Sequence, residues 1–193
     1  MGYKEDYRDL CHGTDAESAH EIQQNGFEIR GDQTSWCGRG TYFYDVKAKA
    51  WWAAKRKCRE IQKKQGRKVN HTVLFADIRH ILKEDIFDLR IKKDMDSFQE
   101  FTESYLDGTG RIKIDEITDE TERIIHLRAF LISFFADKNN KKLVIGDFKQ
   151  RPQPLYEKTI EFADSLQLVV GIETIYCAKD TSIISNIHEG DNR

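Results

Sequence analysis

The stretch that decides the fold runs from Leu10 to Ala53, LCHGTDAESAHEIQQNGFEIRGDQTSWCGRGTYFYDVKAKAWWA. Two short words punctuate it, Cys11-His12-Gly13-Thr14 and Gly38-Arg39-Gly40-Thr41-Tyr42-Phe43. Glycine beside aromatics marks a turn entering a strand, so neither word is specific by itself. Their order and spacing carry more. The apolar run Tyr7 to Cys11 predicts a strand, and Thr14-x-x-Glu17 reads as a capping box opening a helix. Ala16, Ala19 and Ile22 then recur at helical spacing, and Gly26 supplies a left-handed stop.

Outward from this unit, the polar residues Glu28 to Cys37 read as a loop. Tyr42, Phe43 and Tyr44 favour a strand, and Val46 to Lys64, with four alanines, favours a helix. His71 to Arg79 reads as a buried strand, Asp96 to Leu106 as a helix, and Asp107-Gly108-Thr109-Gly110 as a hairpin or turn. Glu122 to Ala136 is the most hydrophobic helix, with Ile124, Leu127, Leu131 and Phe134 on one stripe. Leu143 to Ile145 reads as a strand. Pro152 and Pro154 break the chain before a short helix at Glu157 to Ala163, and Leu166 to Ala178 closes as a bent or paired strand interrupted at Gly171. The expectation is a single α+β domain over residues 1–193, with helices packed on a split, mostly antiparallel sheet.

Composition sets the bounds. Hydrophobic residues at 39% and charged residues at 33% describe a globular chain with a heavily charged surface, which excludes a disordered or membranous protein. The net charge of −2 hides a basic segment, KRKCREIQKKQGRK from Lys55 to Lys68, and an acidic one, DEITDETE from Asp115 to Glu122. Four cysteines without CxxC spacing, and no secretory signal or long apolar run, predict a reducing, cytoplasmic setting. Six scattered histidines predict no metal site.

The order strand, His-Gly-Thr, helix, loop, Gly-x-Gly-x-Tyr-Phe and alanine-rich helix resembles the NAD-binding half of ADP-ribosyltransferases of the diphtheria-toxin and poly(ADP-ribose) polymerase type. The resemblance covers Leu10 to Ala53, Val73 to Ile78 and Ile172 to Cys177; residues between Leu82 and Phe162 are not matched. It implies NAD as co-substrate. Loss of nicotinamide from NAD passes through an oxocarbenium-like state, so such a site holds the nicotinamide, fixes both riboses and sets a carboxylate beside the developing charge. By resemblance, His12 contacts the adenosine ribose and the Gly13 backbone pairs with the carboxamide, where a missing side chain permits close approach. Thr14 is nearby, more safely an N-cap than a ligand. Tyr42, after Gly38 and Gly40, stacks on the nicotinamide ring, and Trp52, or Trp51, covers the opposite ring face. Glu173, charged within the apolar Ile172 to Cys177 run, supplies the catalytic carboxylate. The small hydroxyl residue that larger members carry near the position of Lys49 is absent, which bears on affinity and not on reaction type.

About the acceptor the residues say less. Lys55, Arg56, Arg59 and Lys63 make a basic helix that fits a phosphate backbone, and equally a solvated face balanced by acids elsewhere. A transferase to RNA or DNA, otherwise to protein, is one reading; an NAD glycohydrolase and a catalytically inactive nucleic-acid-binding module are the others. A compact transferase resembles the toxin of a toxin-antitoxin or phage-defence system, which implies a neutralising antitoxin as partner. No membrane partner is expected.

Overall fold

The computed structural model describes residues 3–29, 35–109, 119–149 and 172–190. Its elements follow in the order β1 (Lys4–Asp15), α1 (Ala16–Asn25), β2 (Thr41–Tyr44), α2 (Lys47–Gln65), β3 (His71–Leu82), β4 (Ile86–Asp88), α3 (Lys92–Thr109), α4 (Glu120–Lys138), β5 (Leu143–Lys149), β6 (Ile172–Ala178) and β7 (Ile184–Glu189). The fold is α+β. Seven strands form one sheet in the order β4-β5-β6-β2-β1-β3-β7, antiparallel except for the β4 and β5 pair. Near its centre the sheet is almost divided. β1 and β3 share nine registered pairs, whereas β1 and β2 share one, Cys11 with Tyr44.

Side chains alternate across a strand, so each strand feeds both faces. One face carries Leu10, Phe43, Leu74, Ile78, Ile145 and Tyr176, packed with Ala19 and Phe27 around α1. On the other face α2 covers β1 and β3 through Ala50 and Cys58, and α4 covers β5 and β6 through Ile132, Phe135 and Ala136. The helix α3 packs on α4 through Phe98 and Phe101, whose rings lie 5.5 and 5.2 Å from that of Phe135.

Several expectations are corrected. Thr14 is not the cap of α1. The strand β1 runs on to Asp15, paired with His71, and Asp15 accepts from the Ser18 amide at 2.9 Å, while the fully buried Thr14 accepts from Lys57 Nζ at 2.7 Å. A carboxylate one residue later is the stronger acceptor, and Glu17 turns instead to Arg67. The expected turn at Asp107 to Gly110 is helical through Thr109, because α3 continues past Gly108; Gly110 lies outside the described residues. Ile172 to Ala178 does not close the chain's structure, since β7 follows and pairs with β3. The short strand β4 was not foreseen, as three residues carry too little pattern. Pro152, Pro154, the helix expected at 157–163 and the start of the 166–178 strand lie outside the described residues.

Candidate active site where β1, β2 and β6 meet

His12 lies on β1, Tyr42 on β2 and Glu173 on β6, three strands adjacent in the sheet. Residues 161 positions apart along the chain are thereby brought to one region. They do not share a face. The His12 ring packs edge-on against Phe27 and Phe43, at centroid distances of 5.0 and 5.8 Å, on the α1 side. Tyr42, the residue before Phe43, points to the opposite face with Tyr44, and Glu173 alternates with Ile175 and Cys177 on that same face.

The imidazole bridges the near-division of the sheet. Its Nδ1 lies 2.8 Å from the Tyr42 carbonyl oxygen. A carbonyl only accepts, so Nδ1 carries the proton and Nε2 keeps its lone pair. Burial pushes the His12 pKa down to about 4, and the ring is neutral near pH 7.

Tyr42 is tied into its own turn. Its hydroxyl donates to the Gly38 carbonyl and accepts from the Cys37 amide at 3.0 Å. Burial, with the Cys177 and Cys37 thiols nearby, raises its pKa, so the phenol stays protonated. The same turn is held from below by Lys179, which donates to the Cys37 and Arg39 carbonyls at 2.6 and 2.7 Å and to Ser133 Oγ at 3.1 Å. Gly40 sits on Cys177, whose Sγ occupies the place of a Cβ. The second glycine word is therefore a rigid, twice-anchored turn.

Gly13 has a stronger reason than ligand approach. A Cβ there would overlap the Ala50 carbonyl oxygen and lie 2.8 Å from the Ala54 amide, so α2 packs directly on this backbone. Helix packing alone is enough to require a glycine here.

Glu173 is half-buried at the first turn of α2. Burial raises its carboxyl pKa; the Lys49 ammonium opposes this, Asp45 adds to it, and the Arg56 guanidinium opposes it. Lys49 Nζ donates to the Ile172 carbonyl at 3.1 Å, fixing the helix to the start of β6. Glu173 in turn raises the phenol pKa of Tyr44, after burial, which makes Tyr44 its aromatic neighbour. Exposed Val46, Trp52 and Ile172 surround this corner, at 44%, 44% and 40% exposure, although apolar side chains gain by burial.

Comparison with family models, with curated proteins and with solved structures finds no match to this chain. Trp52 stands half-exposed on α2 with the Arg56 guanidinium 5.2 Å from its ring centroid. Trp51 points inward to His71, at 4.5 Å. Sequence reasoning missed Tyr44, Lys49 and the part Arg56 plays at Glu173. The i, i+3 and i+7 spacing of Lys49, Trp52 and Arg56 held the signal, since it puts all three on one side of a helix. A hollow lined by Ala16, Glu17, Lys68, Val69 and Asn70 lies past the other end of α2, away from these groups. Among the described residues, no group of three or more His, Cys, Asp or Glu converges as a metal site, and no helix is long and apolar enough to cross a membrane.

Proposed function

We propose that the protein is a mono-ADP-ribosyltransferase that cleaves NAD at the nicotinamide ribose and transfers ADP-ribose to a macromolecule. The observation that carries this reading is the half-buried Glu173 carboxyl beside Tyr44, on the face that Tyr42 shares, with His12 on the next strand but one. The C1′–N bond breaks and nicotinamide leaves with its electron pair. Glu173 stabilises the positive charge left on the ribose, and an acceptor oxygen or nitrogen bonds to C1′ while its proton passes to the carboxylate and then to water. The stoichiometry is one NAD and one acceptor giving one ADP-ribosyl product, nicotinamide and a proton.

His12 holds the seam in this reading: Nδ1–H donates to the Tyr42 carbonyl, while the ring lies on the α1 face, across the sheet from Glu173. Tyr42, its hydroxyl engaged, offers a ring held by its turn, and Tyr44 shares its face with the Glu173 carboxylate. Lys49 and Arg56 offset part of the burial that raises the Glu173 carboxyl. Trp52, implied as the second ring against the nicotinamide, exposes its indole at the Glu173 end of α2. A toxin of a toxin-antitoxin or phage-defence system, with an antitoxin covering this corner, is the setting that fits such an activity.

The experiment is nicotinamide release from NAD by the full chain. Glu173→Gln keeps the shape and removes the charge, and a loss of 100-fold or more with an unchanged circular dichroism spectrum is expected. Release that survives this change would remove the transferase reading. Free ADP-ribose as the dominant product in the presence of cell extract would instead favour the glycohydrolase.

A further inference from the structure

The helix α2 turns Trp52, Lys55, Arg56, Arg59 and Lys63 outward at steps of three and four residues, which makes one continuous stripe. From Trp52 to Lys63 the stripe is about 16 Å long, from the rise of 1.5 Å per residue. The helix holds eight basic residues and one acid, a net of +7 in a chain whose total is −2. That acid, Glu60, lies 3.8 Å from Arg56, with both side chains more than half exposed, so the pair is weak. Lys57 faces inward to Asp15 at 2.8 Å. Among the described residues, Arg59 and Lys63 have no acidic partner.

A row of cations asks for a polyanion, and the aromatic end says which kind. Trp52 exposes its indole, one face of which carries the Arg56 guanidinium. This is the end of the stripe at Glu173, because Lys49 and Arg56 both act on that carboxyl. A run of acidic side chains would satisfy the cations, but its carboxylates bring no flat ring to the indole. An anionic lipid surface would satisfy them too, yet it needs an apolar face running along the helix to insert; the exposed apolar side chains Val46, Trp52 and Ile172 sit at one end of the stripe, and Ala50, Ala54 and Cys58 along α2 are buried against the sheet. A nucleobase meets an indole only when it is unstacked, which selects single strands over duplex.

We propose that the outer face of α2 binds single-stranded nucleic acid, a base stacking on Trp52 and the phosphates following Arg56, Arg59 and Lys63, and that this strand is the ADP-ribose acceptor. The acceptor role rests on the transferase reading above; the binding does not. The experiment follows anisotropy of a fluorescein-labelled twelve-residue oligo(U), and of the same length of duplex, with the full chain. Preference for the single strand is expected. Three phosphate contacts predict about an 18-fold loss of affinity between 50 and 200 mM salt. Trp52→Ala is expected to weaken binding at least fivefold. The double reversal Arg59→Glu, Lys63→Glu weakens it further, and each variant's fold is checked by circular dichroism. Equal affinity for duplex, an unchanged affinity in the double reversal, or binding to phosphatidylserine vesicles or poly-glutamate in preference to the strand would overturn the proposal. Nicotinamide release by the same wild-type sample, with whole-cell extract in place of the strand, reports the transferase reading separately. With labelled NAD, label on the strand that nuclease removes supports the acceptor role, and label that only protease removes overturns it.

Discussion

Burial beside Phe27 and Phe43 gives His12 a folded pKa of about 4, against 6.5 for a free imidazole. Between these values the unfolded chain holds a proton that the folded chain does not. Folding stability therefore falls as pH drops from about 6.5 toward 4, by on the order of 3 kcal/mol over the window. Asp15, Asp77 and Asp180 act lower. Burial raises the first two carboxyls, but Lys57 and Ser18 outweigh it at Asp15, and the Asp9 amide, Arg79 and Asn186 outweigh it at Asp77; at Asp180, Ser182 lowers the carboxyl directly. Their contribution is lost below the ordinary aspartate value of 3.8. Replacing His12 with Asn keeps a side-chain N–H for the Tyr42 carbonyl and removes the titration. Thermal midpoints of His12→Asn are expected to change much less between pH 6.5 and 4 than those of the wild type; equal slopes would contradict the assignment.

At the scale of elements, the contact of α2 with β1 depends on a missing side chain. Gly13→Ala forces a methyl into the Ala50 carbonyl and the Ala54 amide. Backbone cannot yield as a side chain tip can, so a loss of about 1–3 kcal/mol is expected, read as a lower urea midpoint with an unchanged slope. The same elements measure how far the sequence could be read. Periodicity and aromatic content identified β2, α2, β3, α4 and β6 because each is long enough or apolar enough to declare its period. The cap of α1 lies one residue past the position that the sequence suggests, since Thr14 and Asp15 are both capping types and only their partners, Lys57 for Thr14 and the Ser18 amide for Asp15, separate them. The face that each side chain takes was not legible either. Neighbours such as Tyr42 and Phe43 are equally aromatic, and the register that sends one to the Glu173 face and the other to His12 is set by strands far away in the chain. Lys49 and Arg56 passed as members of a charged run because their meeting with Glu173 is tertiary.

Taken whole, the molecule is two half-sheets, β3, β1 and β7 on one side and β2, β6, β5 and β4 on the other, joined by one registered pair and the His12 bond to Tyr42. Amide exchange measured by NMR is expected to be slowest within the β1 to β3 and β5 to β6 ladders and faster for the amides that join β1 to β2. Uniform protection across the sheet would mean that the seam is as firm as the ladders.

Charge is divided just as unevenly as the sheet. With +7 on α2 and a total of −2, everything outside that helix sums to −9. Such a body carries a large electric dipole directed toward α2. In the field of a polyanion it rotates before it collides, so α2 and the Glu173 corner lead the approach, and dissolved ions shorten the range of that torque.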